Sequence, residues 1–589
     1  MAELTPQPTS IQSLYGQYAD NKLFVNRRYQ RKLVWTLEEK QRLIESILKR
    51  YPVPAILIAE REGSAGAYEI IDGLQRLQTI VSFIEGSFPT LDRRIFNFDQ
   101  FPTAKSRKDN GIFSPIDCED FISQKEVSTL LDYSLALSVM RNATETEIDD
   151  VFDRINTYGH RLSDQERRQA GVQNDFSALV RTLASTIRGD ASPDILSLSA
   201  MASISVDLPT TKHGYLVKAD EVFWVNEGVL RSTDLRDSMD EQCVADIAAS
   251  IITGEMVDRS KDYLDSVYDR NSDESSRILS ALDVYGVDKV SDEIKFCIEQ
   301  IGLVCNASKS EKLRDIVFSK RNTNGFPTVF TVILMSFHRL FVNDKMKISD
   351  YSYVKDALNN IDKSINTSRS STTPRERKKN VDIITALIKG GFIEEDPSKD
   401  IYANHTTADV EVLIRRSEIE LADYELKQGI VTLSDNRRID DAAFEKIMIT
   451  MTAIANNGKD RVGKIILGVS DKKSDADRVK SLDGIDAKKI GKRYVVGIDR
   501  ESKAIGKNTE QYYNAIRGKI KISKISDPLR LSILSNMDYN SFYGYGVIVI
   551  TVQSQSDLSF YGDDVYWREG DSTKKSENQK QAALLSKRF

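Results

Sequence analysis

The sequence predicts an α+β multidomain protein: a small α/β domain, a mainly helical middle and a C-terminal α+β domain. Three observations carry this. Near the start, short apolar strands alternate with amphipathic helices. From about Asp175 to Asn360 the apolar residues recur with helical period. After about Asp409 the texture changes, and one apolar helix is followed by β-rich runs. The 589 residues suffice for roughly three or four domains. The boundaries fall at residues 1–175, 176–400 and 401–589.

In the first domain, Tyr29 to Trp35 reads as extended. Thr36 with Glu39 forms a capping box, and Leu43, Ile44, Ile47 and Leu48 line one face of the helix it opens. Tyr51-Pro52-Val53-Pro54 ends that helix. Ala55 to Ala59 is a strand, Glu62 to Gly66 a hairpin-like turn, and Tyr68 to Ile71 a second strand. The helix Leu77 to Phe83 stops near Gly86. This mixed order suggests a small sheet with helices on it, not a long parallel series. Further on, Phe152 and Ile155 mark the buried side of a helix that stops near Gly159. Ser163 with Glu166 caps the next.

In the middle, Val329 to Phe341 is apolar enough to be buried. Ser364 to Asn380, with its Pro374-Arg375-Glu376-Arg377-Lys378-Lys379 run, reads as an exposed loop or linker. Val381 to Ile388 is a short helix ending at Gly390-Gly391. In the last domain, Glu411 to Lys427 is charged and mixed. Phe444 to Ile454 is a helix with Ile447, Thr450, Met451 and Ile454 inward. Gly463 to Val469, Arg493 to Ile498 and Gly546 to Val552 are strands. Tyr566 to Thr573 reads as a strand followed by a turn and a terminal helix.

Composition narrows the function classes. Hydrophobic residues make up 40% and charged residues 29%, the balance of a globular chain with a real core. No apolar run approaches the ~20 residues that span a bilayer, and Met1 to Pro6 lacks the pattern of a signal peptide. A cytoplasmic protein without membrane partners is expected. Cys118, Cys243, Cys297 and Cys305 lack metal-type spacing and read as free buried thiols. His160, His213, His338 and His405 are scattered, which argues against nuclease or zinc sites built on clustered histidines. The net charge of −6 is not that of a general polyanion binder. Between Gly458 and Lys524, however, 18 Lys and Arg stand against 9 Asp and Glu. This is either a solvated lysine-rich face or a surface for DNA or RNA, with Lys472, Lys473, Lys492 and Arg493 as its candidates.

The chemistry concentrates at Asp72-Gly73-Leu74-Gln75-Arg76. A carboxylate, a glycine, an amide and a guanidinium meet at the start of a helix, where backbone N–H groups and the helix dipole attract anions. Arg76 can fork onto a phosphate, and Asp72 can hold a metal ion or a water. The long glycine run and Lys-Ser/Thr end of a Walker loop are absent. Arg154, Asn156 and His160 fall in or beside a tight turn. Read locally, Asn156 and Gly159 merely end a helix, and Arg31 with Trp35 is a cation–π contact that fixes a loop.

Three motifs together resemble the N-terminal domain of GmrSD-type and SspE-type restriction proteins, which look like ParB/sulfiredoxin-fold NTPases that defend bacteria against phage. They are Tyr29-Gln30-Arg31 with Trp35, Asp72 to Arg76, and Phe152-Asp153-Arg154-Ile155-Asn156 with Gly159, Leu162 and Glu166. The resemblance implies that GTP or ATP with Mg2+ is bound by Arg31, Gly73, Gln75, Arg76, Arg154 and Asn156. It implies catalysis by Arg31, Asp72, Gln75 and Arg76, with Asp72 orienting a water or a metal. Tyr29 and Gln30 would read a DNA feature. Leu74 departs from the family, which usually has glutamine there. If Leu74 points into the helix core, little is lost.

Relatives of this kind usually continue into an HNH-type nuclease, which the histidine count disfavours. Instead, roughly the last 180 residues resemble the Schlafen AlbA-type domain. The match runs through Ser417-Glu418, Tyr424 to Gly429, Ala453 to Asn456, Gly468 to Asp471 and Arg568 to Thr573. The resemblance implies nucleic-acid binding, to which Arg568 would contribute. Some Schlafen relatives cut RNA with two glutamates and an aspartate, a pattern that Glu420, Glu425 and Asp471 fit. These three would hold divalent metal, and Lys427 would neutralise phosphate on the strand face of Glu425. Binding without cleavage is the favoured reading.

The whole then reads as an antiphage defence protein that couples NTP hydrolysis to DNA or RNA binding. It would act as a homo-oligomer with defence-operon partner proteins. The alternative is a non-catalytic sensor that works with a separate nuclease, and a further possibility is that the N-terminal domain itself nicks DNA.

Overall fold

A mixed six-stranded sheet organises the start of the chain. The computed structural model describes residues 3–26, 33, 35–61, 66–144, 147–148, 150–152, 154, 163–171, 174–189, 195–199, 201, 206–207, 217–320, 323–367, 372–402, 405, 407–417, 422–459, 461–570 and 572–586. The sheet comprises β1 (Glu3–Ser10), β2 (Leu23–Asn26), β3 (Ile56–Glu60), β4 (Tyr68–Asp72), β5 (Ser134–Arg141) and β6 (Ile195–Ser197), in the order β1-β5-β3-β4-β2-β6. The β3–β5 and β2–β4 pairs are parallel and the others antiparallel. The sheet is thus not a long parallel series, in keeping with the order of elements.

The β3–β4 pairing carries an irregularity. Leu57 pairs with Asp72, but the next residue, Ile58, pairs with Ile70. Ile71 is the extra residue of a β-bulge. A strand alternates faces residue by residue. The insertion therefore puts Asp72 on the face of Leu57, where regular pairing would have put Ile71. Ile71 keeps a place in the core, packing with Leu57, Ala59, Met140 and Phe152.

Of the helices that flank these strands, three bear on the site. α1 (Ile11–Ala19) is capped by the Ser10 side chain. α2 (Leu37–Leu48) opens with the Thr36–Glu39 capping box and buries Leu43, Ile44 and Ile47. α3 (Leu74–Ile84) is longer than Leu77 to Phe83, because Gly73 supplies its N-cap directly after the strand. Its residues from Leu77 to Ile84 are all buried.

The capping box Ser163–Glu166 is present as well: Ser163 N donates to Glu166 Oε2 at 2.9 Å, and Glu166 N donates to Ser163 Oγ at 3.3 Å. It opens the helix Asp164–Gly171, which is tied to the helical middle. Arg168 Nε donates to Asp265 at 2.7 Å, and Gln165 and Gln169 each donate to the Tyr268 hydroxyl at 3.1 Å. A single apolar core then collects residues from Phe176 to Ile401, with Trp224, Phe330 and Phe337 fully buried.

The Pro374–Lys379 run is not a loop. Pro374 is the first residue of a helix, Pro374–Ile388, in the position where proline is best tolerated. Arg377 has no exposed surface and forms a bidentate pair with the equally buried Asp246, at 2.7 and 2.8 Å. Thr331 Oγ1 also donates to Asp246, at 3.2 Å. Nearby, the buried Glu293 accepts from His338 Nε2 or shares its proton at 2.8 Å, and accepts the hydroxyls of Tyr285 at 2.7 Å and Tyr402 at 2.6 Å.

The chain divides into two compact units, Met1–Tyr402 and Ala403–Phe589. The second has a four-stranded sheet in the order Tyr424–Lys427, Val462–Leu467, Tyr545–Gln553 and Met537–Phe542, its first pair parallel. The helix Asp441–Ala455 buries Ile447, Thr450, Met451 and Ile454, the inward face that periodicity predicts. The helix Thr407–Arg416 packs on the other side, through Val410, Leu413 and Ile414. Ser572 and Thr573 do not lead straight to a helix. They begin a return strand, Ser572–Lys575, that pairs with Asp564–Glu569 before the helix Gln579–Ser586. All four cysteines are free, three of them buried and Cys118 half-buried. No helix among the described residues is long and apolar enough to cross a membrane.

Candidate functional site

The Asp72–Arg76 junction is built by the end of β4 and the start of α3. Gly73 adopts φ 99°, a left-handed conformation, and no side chain caps the helix. A Cβ there would lie 2.8 Å from Ile56 Cγ1, so glycine is required both by conformation and by space. Leu74 is 5% exposed and faces the core. Arg76 Nη2 donates to Asp72 Oδ2 at 2.7 Å, while Nη1 donates to the carbonyls of Pro54 at 2.8 Å and Ala55 at 3.0 Å. Arg76 is therefore largely buried and oriented, whereas the Asp72 side chain is 42% exposed. Gln75 Oε1 accepts from Trp35 N at 3.4 Å, drawing the segment before α2 toward the junction.

Asp72 stands at the rim of a cavity of about 410 Å3 whose lining includes Leu4, Leu57, Ser138, Met140 and Val151. Leu57 pairs with Asp72 on one side and with Ser138 on the other, so these three side chains form one cross-strand row. Leu4 pairs with Met140, two residues further along β5. Val151 covers the row from the helical turn that carries Phe152. Sequence reasoning found Asp72 but missed the cavity, since its walls come from five separate segments.

Among the other residues implied at this end, Arg154 is exposed and pairs with Asp150 at 2.9 Å. Tyr29, Gln30, Arg31, Ile155, Asn156, Gly159, His160 and Leu162, with the Glu62–Ala65 turn, lie outside the described residues.

In the second unit, Glu425 accepts from Lys427 Nζ at 2.6 Å and pairs with Arg568 Nη1 at 3.1 Å. Arg568 is buried, and also donates to Thr573 Oγ1 at 3.1 Å and to the Tyr424 carbonyl at 3.4 Å. Thr573 Oγ1 lies 3.3 Å from Thr450 Oγ1. The return strand thus brings the end of the chain onto the strand Tyr424–Lys427. With two cations against Glu425, a divalent ion would have to displace Lys427, the half-exposed member of the pair. Asp471 is exposed. Among the described residues no group of three or more His, Cys, Asp or Glu is placed to hold a metal. Glu418, Glu420 and Asp571 lie outside them.

The loop beyond Glu425 is supported from beneath. The buried Glu501 accepts from the N–H groups of Ile430 at 2.9 Å and Val431 at 3.1 Å, and from the Tyr512 hydroxyl. Burial pushes the Glu501 carboxyl above its usual range, against the pull of Arg500 and these donors. A Cβ on Gly429 would strike Glu501, which explains the glycine.

Of the basic candidates, Lys472, Lys473 and Lys492 are exposed. Arg493 is committed elsewhere: its Nη2 donates to the Ser417 carbonyl at 2.8 Å and its Nε to Ser417 Oγ at 3.2 Å. That closes the end of the helix Thr407–Arg416, a role for cations at helix C-termini.

No curated protein and no solved structure matches the chain. Residues 11–172 are similar to one family, and match its model: GmrSD restriction endonuclease, N-terminal domain.

Proposed function

We propose that this chain is a restriction-like defence protein whose N-terminal domain binds and hydrolyses a nucleoside triphosphate, and whose second unit binds nucleic acid. The observation that carries this reading is a coincidence of place. The GmrSD-type match spans the strand–helix junction that opens on the Asp72 cavity. The uncapped start of α3 offers main-chain N–H groups and the positive end of its dipole to phosphates. Arg76, held by Pro54, Ala55 and Asp72, keeps a fixed positive charge beside them, the electrostatic contribution that phosphoryl transfer needs. GTP or ATP with Mg2+ is the expected cofactor.

In the second unit the exposed Lys472, Lys473 and Lys492 supply phosphate affinity without sequence preference. The clasp of Lys427 and Arg568 on Glu425 favours binding over cutting there. The same observation supports the second reading, a sensor that relies on a separate nuclease.

Phosphate release by the purified full-length chain separates the two. Hydrolysis is expected with Mg2+, and Arg76→Ala should lower it by about a hundredfold. Absence of release with all four NTPs, with and without DNA, leaves only the sensor.

A further inference from the structure

The cavity beside Asp72 suits a flat ring better than a phosphate. Leu4, Leu57, Met140 and Val151 give it apolar sides, while Asp72 and Ser138 are its polar groups. A phosphate placed there would exchange water for hydrocarbon and face a carboxylate. The volume of about 410 Å3 lies in the range of small-ligand sites. Arg76 occupies Asp72 Oδ2, which fixes the orientation of the carboxylate. A carboxylate offers about four acceptor positions, and Oδ1 has no partner among the described residues.

The geometry points to a nucleobase subsite in this cavity, with Asp72 accepting from the donor edge of the base and guanine as the base that fits. This rests on the nucleotide-binding reading above, and it moves Asp72 from metal or water to the base. Guanine presents two adjacent donors, its ring N–H and its exocyclic amino group. Adenine and cytosine present one amino donor beside a ring acceptor. Uracil presents a single N–H between two carbonyl acceptors. An ionised carboxylate only accepts, so the order of preference is guanine, then adenine and cytosine, then uracil. The phosphates stay outside the cavity, toward the start of α3.

Calorimetric binding of GTP, ATP, CTP, UTP and xanthosine triphosphate to the full-length chain tests this. The wild type should bind GTP at least about tenfold more tightly than UTP. Asp72→Asn should weaken GTP about tenfold and tighten xanthosine triphosphate, because xanthine carries a carbonyl where guanine has its amino group and Asn can donate to it. That gain needs a folded protein. Val151→Trp, which fills the cavity, should also weaken GTP about tenfold. If Asp72→Asn weakens every nucleotide equally, with no gain for xanthosine triphosphate, the base assignment is overturned while nucleotide binding stands. GTP affinity unchanged in Val151→Trp overturns it too. If no nucleotide binds the wild type, the nucleotide-binding reading fails, and this assignment with it.

Discussion

Gly73 is the residue on which the junction turns. Its φ of 99°, and the 2.8 Å that would separate a Cβ there from Ile56 Cγ1, make Gly73→Ala costly, by about 1–3 kcal/mol. Urea unfolding should show a lower midpoint with an unchanged slope. Much at this scale was legible in the sequence, because the partners are close in the chain. The boxes Thr36–Glu39 and Ser163–Glu166 close over three residues, whereas the pairing of Asp72 with Arg76, four residues apart, was not foreseen. What the sequence could not reveal is the rest of the Arg76 setting. Pro54 and Ala55 come from another strand end, and no local pattern marks a carbonyl as an acceptor for a distant guanidinium. The same holds for Arg493, whose basic character suggested a nucleic-acid contact and whose guanidinium closes a helix instead.

At the scale of elements, the helix Pro374–Ile388 shows how charge misleads. A run of Arg, Glu and Lys after proline reads as solvated chain. The counter-charge that permits burial, Asp246, lies 131 residues away. Removing Arg377 leaves the buried Asp246 with only Arg259 at 3.6 Å and Thr331: Arg377→Ala should destabilise the first unit by about 3 kcal/mol, and Arg377→Met with Asp246→Leu should recover only part of the loss, because the buried Arg259 then loses its counter-charge. Thermal unfolding of the two variants beside the wild type reads the difference. The helices with a clear apolar stripe, α2 and Asp441–Ala455, were legible because burial follows period. The return strand Ser572–Lys575 was not. It is short and polar, and its only instruction is the pairing with Asp564–Glu569.

At the scale of the molecule, the second unit has its own cores on both faces of its sheet. The fragment 403–589 should therefore fold alone and bind DNA or RNA. Its affinity should fall roughly tenfold or more between about 50 and about 200 mM salt. Lys472→Glu with Lys473→Glu should weaken it for all sequences alike, as electrophoretic mobility shift would report. Neither substrate should be cut with Mg2+ or Mn2+. Cleavage that Glu425→Ala abolishes would reverse the assignment of this unit to binding. In the first unit, counting protects the Asp72 face where chemistry alone would not. The extra residue at Ile71 fixes the parity of the strand just before α3 begins. A residue gained between Tyr68 and Asp72 would turn the carboxylate to the opposite side of the sheet with every amino acid of the motif still in place, whereas loss of Ile71 would restore regular pairing and leave the carboxylate opposite Leu57. That stretch is accordingly freer to shorten by its bulge residue than to lengthen.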